Sequence, residues 1–201
     1  MKKLLLLSIV LAPLLINAQQ PNMQIKLFFG FNGSELVYRA ENVESDLLGG
    51  VQIGGGFRVK YRESFGEIDF GYMIQVINFS PREEDNLPIE EDVELTLGSL
   101  DIPIVVGYVP IKTPLFGCYL YGGIANRLIL NGRIYYMDEE YKFNPKDAKL
   151  HVYNLGARFG VQFDIAMFNF DFNYTIGVTN SFRDRTRTNS HAFMFNLGFL
   201  F

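Results

Sequence analysis

The chain has 201 residues with 18 basic and 22 acidic side chains, and it contains 19 phenylalanines, 11 tyrosines and 19 glycines but no tryptophan. The length is that of one domain, and the formal net charge of −4 argues against a nucleic-acid-binding protein, which needs a basic face. Cys118 is the one cysteine, which excludes an internal disulfide and a Cys-x-x-Cys metal site.

The N-terminus has the layout of an export signal. Two lysines follow Met1, an apolar segment runs from Leu4 to Ile16, and Ala18 supplies the small residue before a cleavage site. We therefore predict a signal peptide over residues 1–18 and a barrel domain over residues 19–201. Beyond residue 18 the sequence contains no apolar run of 18 or more residues, so we expect no transmembrane helix.

Beyond residue 20, apolar and polar residues alternate, which is the period of a β-strand with two unlike faces. Between Phe168 and Thr179, the even-numbered residues are all apolar and the odd-numbered residues are polar or glycine. Seven further segments repeat the pattern with varying regularity. The eight predicted strands cover residues 24–31, 51–62, 67–76, 97–108, 115–130, 153–164, 168–179 and 190–201.

Short and long connections alternate between these strands. The short turns are predicted at residues 63–64, 109–114 and 166–167, and the long loops at residues 32–47, 80–92, 131–149 and 180–189. An even number of strands, with short turns at one end and long loops at the other, is typical of outer-membrane barrels. The sequence therefore predicts an all-β fold: an eight-stranded antiparallel up-and-down transmembrane β-barrel in the outer membrane of a Gram-negative bacterium.

The cost of placing charge in hydrocarbon indicates which face meets lipid. If the polar face pointed outward, Arg58, Lys60 and Arg158 would each cost about 2–4 kcal/mol near mid-depth. Several such penalties approach the total stability of a domain, roughly 5–15 kcal/mol, so the apolar face is expected outside. A soluble barrel of lipocalin type, apolar inside and polar outside, is the alternative, but it needs no aromatic ring at each short turn.

This orientation assigns roles to named side chains. Charges on the polar face should fill the interior as a salt-bridged plug, since eight strands leave room only for side chains and buried charges must pair. Aromatic residues at the short turns should form a belt at one membrane edge, and Phe201 should act as an assembly signal read by the barrel-assembly machinery. The expected interior set is Lys26, Arg58, Lys60, Arg62, Glu67, Asp69, Asp101, Arg127, Arg158, Asp164 and Asp171, and the expected belt is Tyr61, Tyr108, Phe116, Phe163, Phe168 and Phe199.

No motif in the sequence indicates catalysis, so we expect no enzymatic activity, no cofactor and no metal. Ser190 and His191 are adjacent and project from opposite faces of a strand, which prevents them from pairing as nucleophile and base. The acidic loop at residues 80–94 could hold a divalent cation, and the basic loop at 183–187 could contact lipopolysaccharide phosphates. The alternative for both is a solvated loop.

The segment from Leu100 to Tyr108 contains Asp101-Ile102-Pro103 and resembles a Leu-Glu-Ile-Pro strand of the PorT-like outer-membrane barrels of Bacteroidetes. The segments 114–123 and 196–201 are similar to later strands of that family. Asp101 stands where the family usually has Glu, and Gly107 where it has Lys. The resemblance implies an eight-stranded barrel without enzymatic activity, and the family's namesake takes part in type IX secretion and gliding. Proline has no backbone N–H to donate to a neighbouring strand, so we expect a bulge or kink at Pro103.

Together these features favour a non-enzymatic outer-membrane barrel with a structural or interaction role, and the resemblance suggests an accessory of type IX secretion. The expected partners are outer-membrane lipid and lipopolysaccharide, the barrel-assembly machinery during insertion, and an envelope protein complex; nucleic acid is not expected. Two alternatives remain: a small channel or transporter that uses the interior charges, and a lipid-modifying envelope enzyme.

Overall fold

The structure is a computed structural model that describes residues 22–38, 43–46, 48–81, 93–136, 139–145, 150–181 and 188–201. The predicted signal peptide at residues 1–18, residues 82–92 of the acidic loop and the basic loop at 183–187 lie outside the described residues. No helix in the described part of the chain is long and apolar enough to cross a bilayer.

Ten strands form one antiparallel sheet. Each strand is antiparallel to the strands with which it pairs, so β2 runs in the same direction as β3, and β7 in the same direction as β8. Their bounds are β1 (Asn22–Tyr38), β2 (Val43–Asp46), β3 (Leu48–Tyr61), β4 (Ser64–Pro81), β5 (Val93–Lys112), β6 (Phe116–Tyr136), β7 (Glu139–Phe143), β8 (Tyr153–Ile165), β9 (Phe168–Gly177) and β10 (Thr188–Leu200).

Eight of the strands close into a barrel. The hydrogen-bonded neighbours follow the order β4-β3-β1-β10-β9-β8-β6-β5, and β5 pairs again with β4. The first and last strands close the wall along a ladder that runs from Lys26 opposite Leu200 to Tyr38 opposite Thr188. The predicted eight-stranded antiparallel up-and-down barrel is confirmed, and closure leaves no sheet edge within the wall.

The two short strands extend the sheet beyond the barrel at its loop end. β2 pairs with the end of β4, and β7 pairs with the end of β6. The prediction of long loops was therefore wrong in part, because backbone ladder bonds continue between the arms of a hairpin whatever the polarity of the side chains. The residues predicted as loop and found in strands are 32–38, 43–46, 80–81, 131–136, 139–143 and 188–189.

Pro103 does not cause the expected bulge. It pairs with Ala125 of β6, while the ladder to β4 is interrupted between the pairs Ile68–Ile104 and Gly71–Asp101 without a change of register. The gap fits a residue that has no N–H to donate. The register shifts of the β5–β6 pair lie elsewhere, next to Gly98 and after Tyr108.

The two faces of the wall have opposite character. Outward side chains are apolar and accessible: Phe31 is 60% exposed, Ile53 65% and Val106 68%. Inward side chains are polar and buried, with Arg58 at 0% and Lys26 at 1% exposure. A water-soluble fold shows the reverse arrangement, so the lipocalin-type alternative is excluded and the apolar face is the one that meets lipid.

Candidate functional site: the filled barrel interior

The interior is filled by three layers of side chains. Near the short turns lies the turn-end apolar layer, in which the rings of Phe65 and Tyr119 meet edge to face at 5.3 Å. Charged side chains fill the middle, together with Met73 and Met194. The loop-end apolar layer closes the other side. The turn-end layer is Phe65, Val105, Val109, Tyr119 and Tyr121, and the loop-end layer is Ile77, Leu95, Leu97, Ile129 and Leu150.

The lower charge cluster adjoins the turn-end layer and joins four strands of the barrel, β1, β3, β4 and β8. Arg58 lies directly opposite Glu67 in the β3–β4 ladder, and its Nε is 2.5 Å from Glu67 Oε2. The same guanidinium reaches Asp164 of β8, with Nη1 2.8 Å from Oδ2. Lys26 of β1 binds both Glu67 and Asp69, the latter at 2.7 Å from Oδ2. The contacts of Arg58 with Asp164 and of Lys26 with Glu67 and Asp69 cross-link strands that are not neighbours in the sheet.

Lys60 completes the lower charge cluster at its periplasmic side. Its Nζ lies 3.1 Å from Asp164 Oδ2 and 2.5 Å from the Tyr119 hydroxyl. The ammonium also lies 4.6 Å from the centre of the Tyr119 ring, and the Arg58 guanidinium lies 4.9 Å from it. Both cations therefore rest against the turn-end layer in cation–π geometry.

The upper charge cluster consists of two arginines and one carboxylate. Arg158 Nη2 lies 2.7 Å from Asp101 Oδ2, and its Nε donates to Thr175 Oγ1 at 2.8 Å. Arg127 lies directly opposite Asp101 in the β5–β6 ladder but is more distant from it, with 3.6 Å between Nε and Oδ1. Its Nη1 donates to Gln75 Oε1 at 3.1 Å.

Asp171 is held by neutral donors. Its carboxylate accepts hydrogen bonds from the Tyr121 hydroxyl at 2.6 Å and from the side-chain amides of Asn173 and Asn196, each at 3.1 Å. With Asp171 included, five described cations face five carboxylates inside the barrel. The charge is therefore balanced over the described lumen as a whole but not within the upper charge cluster, where two arginines face one carboxylate.

Arg62 corrects one expectation. It was expected in the interior, but the chain reverses at Arg62 and Glu63, one residue earlier than the predicted turn. Arg62 has a φ of 54°, is exposed, and lies with its guanidinium 5.4 Å from the centre of the Tyr61 ring. Because the strand ends at Tyr61, the alternation that assigned Arg62 to the inner face stops before it.

The six residues of the expected aromatic belt all lie near the short turns on the outer face. Phe116 and Phe163 stack with ring centres 6.3 Å apart, and Phe168 contacts Phe199 at 5.2 Å. Tyr61 is 66% exposed and Tyr108 is 50% exposed. Their position suits the periplasmic interface of the bilayer, where amphipathic rings prefer to sit.

Several interior residues were missed by the sequence reasoning because they are neutral. Gln162 accepts from Arg58 and donates to Glu67 at 3.1 Å, so it bridges the lower charge cluster. Asn169 donates to Asp164 at 2.8 Å, and Gln52 donates to Asn196. The alternation placed these residues on the inner face, but only the three-dimensional register shows which side chain each of them contacts.

The side chains considered for catalysis do not meet. Ser190 lines the interior beside Arg127, whereas His191 lies on the outer face, where a 2.8 Å hydrogen bond joins its Nδ1 and the Tyr174 hydroxyl. Ser190 and His191 thus point to opposite sides of the wall, as adjacent strand residues must. Among the residues that the structure describes, no three His, Cys, Asp or Glu side chains are placed to hold a metal ion.

Comparison with known proteins agrees with this architecture. The model of the family described as outer membrane protein beta-barrel domain matches residues 17–183. The crystal structure of the outer membrane protein OprG from Pseudomonas aeruginosa aligns with a TM-score of 0.54 and 11% sequence identity, covering 90% of this chain and 97% of that one. At this identity the alignment shows a common fold. No curated protein matches the chain.

Two further outer-membrane structures align over most of their length. Ail, the attachment invasion locus protein of Yersinia pestis, aligns with a TM-score of 0.49 and 12% identity over 89% of this chain and 98% of its own. Neisserial surface protein A gives a TM-score of 0.49 and 8% identity over 88% and 97% of the two chains. The family model spans most of the sequence. The chain therefore belongs to the outer membrane protein beta-barrel domain family and is a β-barrel protein of the Gram-negative outer membrane.

Proposed function

We propose that the protein is a non-enzymatic barrel that anchors an interaction surface in the outer membrane. The observation that carries this proposal is the closed interior, in which paired charges lie between two apolar layers. A barrel whose described interior is filled by side chains can still position the strands that project from it. The function is then expected to reside at the ends of the barrel and not in its lumen.

The loop end of the barrel offers such a surface. Beyond the barrel wall, β6 and β7 form a hairpin in which Arg133 lies opposite Lys142 and Tyr135 opposite Glu140. Arg133 Nη1 lies 3.3 Å from Glu140 Oε1, and these side chains point away from the interior. Among the described strands β7 pairs with β6, and the exposed side chains of Tyr135 and Lys142 offer an aromatic ring and a charge to a partner.

A photo-crosslinking residue at Tyr135 tests this surface in the native outer membrane. We expect covalent adducts with an envelope protein or with lipopolysaccharide, identified by mass. The matched control is the same residue at Ile124, on the lipid-facing wall of the same strand, which should react with lipid acyl chains. Equal adducts at both positions would contradict a specific surface at the loop end.

The finer role we propose is that of a PorT-like accessory of type IX secretion. Its support is the resemblance of the segment from Leu100 to Tyr108, which in this barrel places Asp101 in the upper charge cluster. A deletion strain should lose export of type IX cargo and regain it with the wild-type gene. Normal cargo export in the deletion strain would remove this role and leave the barrel itself unaffected.

A channel function is opposed by the two apolar layers. A hydrated ion that crosses the lumen must lose its water to pass the apolar side chains of Leu95, Leu97 and Ile129. We expect purified barrel in planar bilayers to show no conductance above that of the bilayer alone. Steady conductance that changes in Arg58→Met or Glu67→Gln would instead favour the channel or transporter alternative.

The C-terminal residue offers a test of assembly. Phe201 is 71% exposed, and its backbone exchanges hydrogen bonds of 2.9 and 3.1 Å with Ile25. Phe201→Ala keeps those backbone bonds, so the free energy of unfolding of the refolded barrel should change by less than about 0.5 kcal/mol. If Phe201 is the assembly signal, the amount of barrel in the outer membrane should fall several-fold. An unchanged amount would assign assembly to another segment.

A further inference from the structure

We propose that the upper part of the lumen binds one small monovalent anion, of the size of chloride, against the side chain of Arg127. The site lies between the upper charge cluster and the loop-end apolar layer. It is separate from the contacts that fill the lower part of the lumen, and it does not depend on the function proposed above.

The local charge around Arg127 is positive. Arg127 and Arg158 share the single carboxylate of Asp101, and Arg158 holds it closely at 2.7 Å. In the lower charge cluster, by contrast, three cations meet three carboxylates. The compensating charge of the lumen is on Asp171, whose carboxylate is already bonded to a tyrosine and two asparagines. An uncompensated guanidinium in a low dielectric is costly, and a bound anion would neutralise it.

Arg127 also has hydrogen-bonding capacity that the protein does not use. The side chain is 7% exposed, and only its Nη1 donates to the described protein, at Gln75. Its Nε lies 3.6 Å from Asp101 Oδ1, beyond hydrogen-bond distance, and its Nη2 donates to no acceptor among the described residues. These two nitrogens donate along one edge of the planar guanidinium, in the arrangement that suits an anion.

Two small cavities adjoin the side chain of Arg127. Their volumes are about 10 and about 20 Å³, and both are lined by Arg127, Asn154 and Ser190. Each can contain one particle of about the size of a water molecule. This volume excludes phosphate, sugars and organic carboxylates as occupants. Ile129 and Leu150 of the loop-end apolar layer also line the larger cavity.

A single water molecule would fit the same space and would accept hydrogen bonds from Arg127. It would also donate to the Asn154 Oδ1 atom, which has no partner among the described residues. Water would, however, leave the positive charge of the upper cluster uncompensated. The positive charge of the upper cluster thus favours an anion in one of the two cavities. The other cavity can hold a water molecule that donates a hydrogen bond to Asn154 Oδ1.

Bromide identifies the site directly, because it replaces chloride and scatters anomalously. Crystals of the full barrel grown or soaked in sodium bromide should show an anomalous peak within about 3.5 Å of Arg127 Nε or Nη2, a distance typical of a charge-assisted contact. A peak at that position establishes the site. Its absence, with only a water molecule refined beside Arg127, would overturn the proposal.

Thermal unfolding in detergent gives an independent readout. At constant ionic strength, replacing gluconate by chloride should raise the midpoint in a saturable way, by roughly 3–6 °C at ten times the Kd. Gluconate is too large for the cavity and leaves the site empty. Equal midpoints in the two salts would overturn the proposal.

Two arginine variants complete the experiment. Arg127→Met leaves Arg158 and Asp101 as a balanced pair, so the barrel should still fold, and its midpoint should no longer respond to chloride. Arg133→Met removes an arginine from the exposed outer face of the same strand, with its guanidinium beside Glu140, and should keep the full response. The same loss of response in both variants would indicate a general salt effect and contradict the site.

Discussion

Arg58→Met is expected to lower the free energy of unfolding by about 3–5 kcal/mol, the cost of breaking a buried ion pair by removing one partner. Arg58 is fully buried and binds Glu67 at 2.5 Å, Asp164 at 2.8 Å and Gln162. Without Arg58, the lower charge cluster contains two cations, Lys26 and Lys60, and three carboxylates. Urea titration of the barrel in lipid vesicles, followed by circular dichroism and by the gel mobility of the folded form, measures the loss.

Two further variants make this prediction specific. Arg62→Met removes an exposed arginine from the adjacent turn and should change the free energy of unfolding by less than about 0.5 kcal/mol. The double variant Arg58→Met with Glu67→Gln leaves the balanced pairs Lys26–Asp69 and Lys60–Asp164. It should therefore recover part of the loss. Equal effects of Arg58→Met and Arg62→Met would mean that the interior is hydrated and its charges unpaired.

Ile124→Arg is expected to lower the free energy of unfolding by about 2–4 kcal/mol, the cost of an arginine at the middle of the lipid-facing wall. Ile124 lies on the outer face of β6, between Ile104 of β5 and Ala157 of β8 in the ladders, and is 47% exposed. Unfolding in vesicles measures this cost directly. In a barrel with a water-exposed outer wall, the same variant would have little effect.

Leu115→Arg is the matched control for Ile124→Arg. Leu115 is 71% exposed and lies in the turn before β6, outside the hydrocarbon region. The same change of apolar to charged side chain should there alter the free energy of unfolding by less than about 0.5 kcal/mol. Similar losses in the two variants would contradict the assignment of the outer face to lipid.

The main features of the fold could be predicted from the sequence because they depend on local periodicity. Alternation with period 2 assigns each residue to a face, and the cost of charge in hydrocarbon decides which face is outside. Arg58, Asp101 and Arg158 could be assigned to the interior on this basis alone. Arg62, by contrast, lies outside the interior, because the strand ends at Tyr61 and periodicity does not show the residue at which a strand ends.

The contacts inside the barrel could not be predicted in this way. Arg58 meets Asp164, 106 positions further along the chain, and Lys26 meets Asp69, 43 positions away. Such pairs depend on the strand register and on the tilt that closes the wall, which set the height of each side chain along the barrel axis. The neutral partners Gln162 and Asn196, and the unused donors of Arg127, became visible only with that register.

The sequence itself determines that eight strands form the barrel wall, that the apolar face points outward and that the barrel lies in the outer membrane. These features follow from the alternation of side chains and from the cost of placing a charge in hydrocarbon, both of which act residue by residue. The layered interior and its division into a balanced lower cluster and a positive upper cluster were decided by the tertiary structure. The physical reason is that charge pairing falls off over a few ångströms, so it depends on which side chains closure brings together across the lumen.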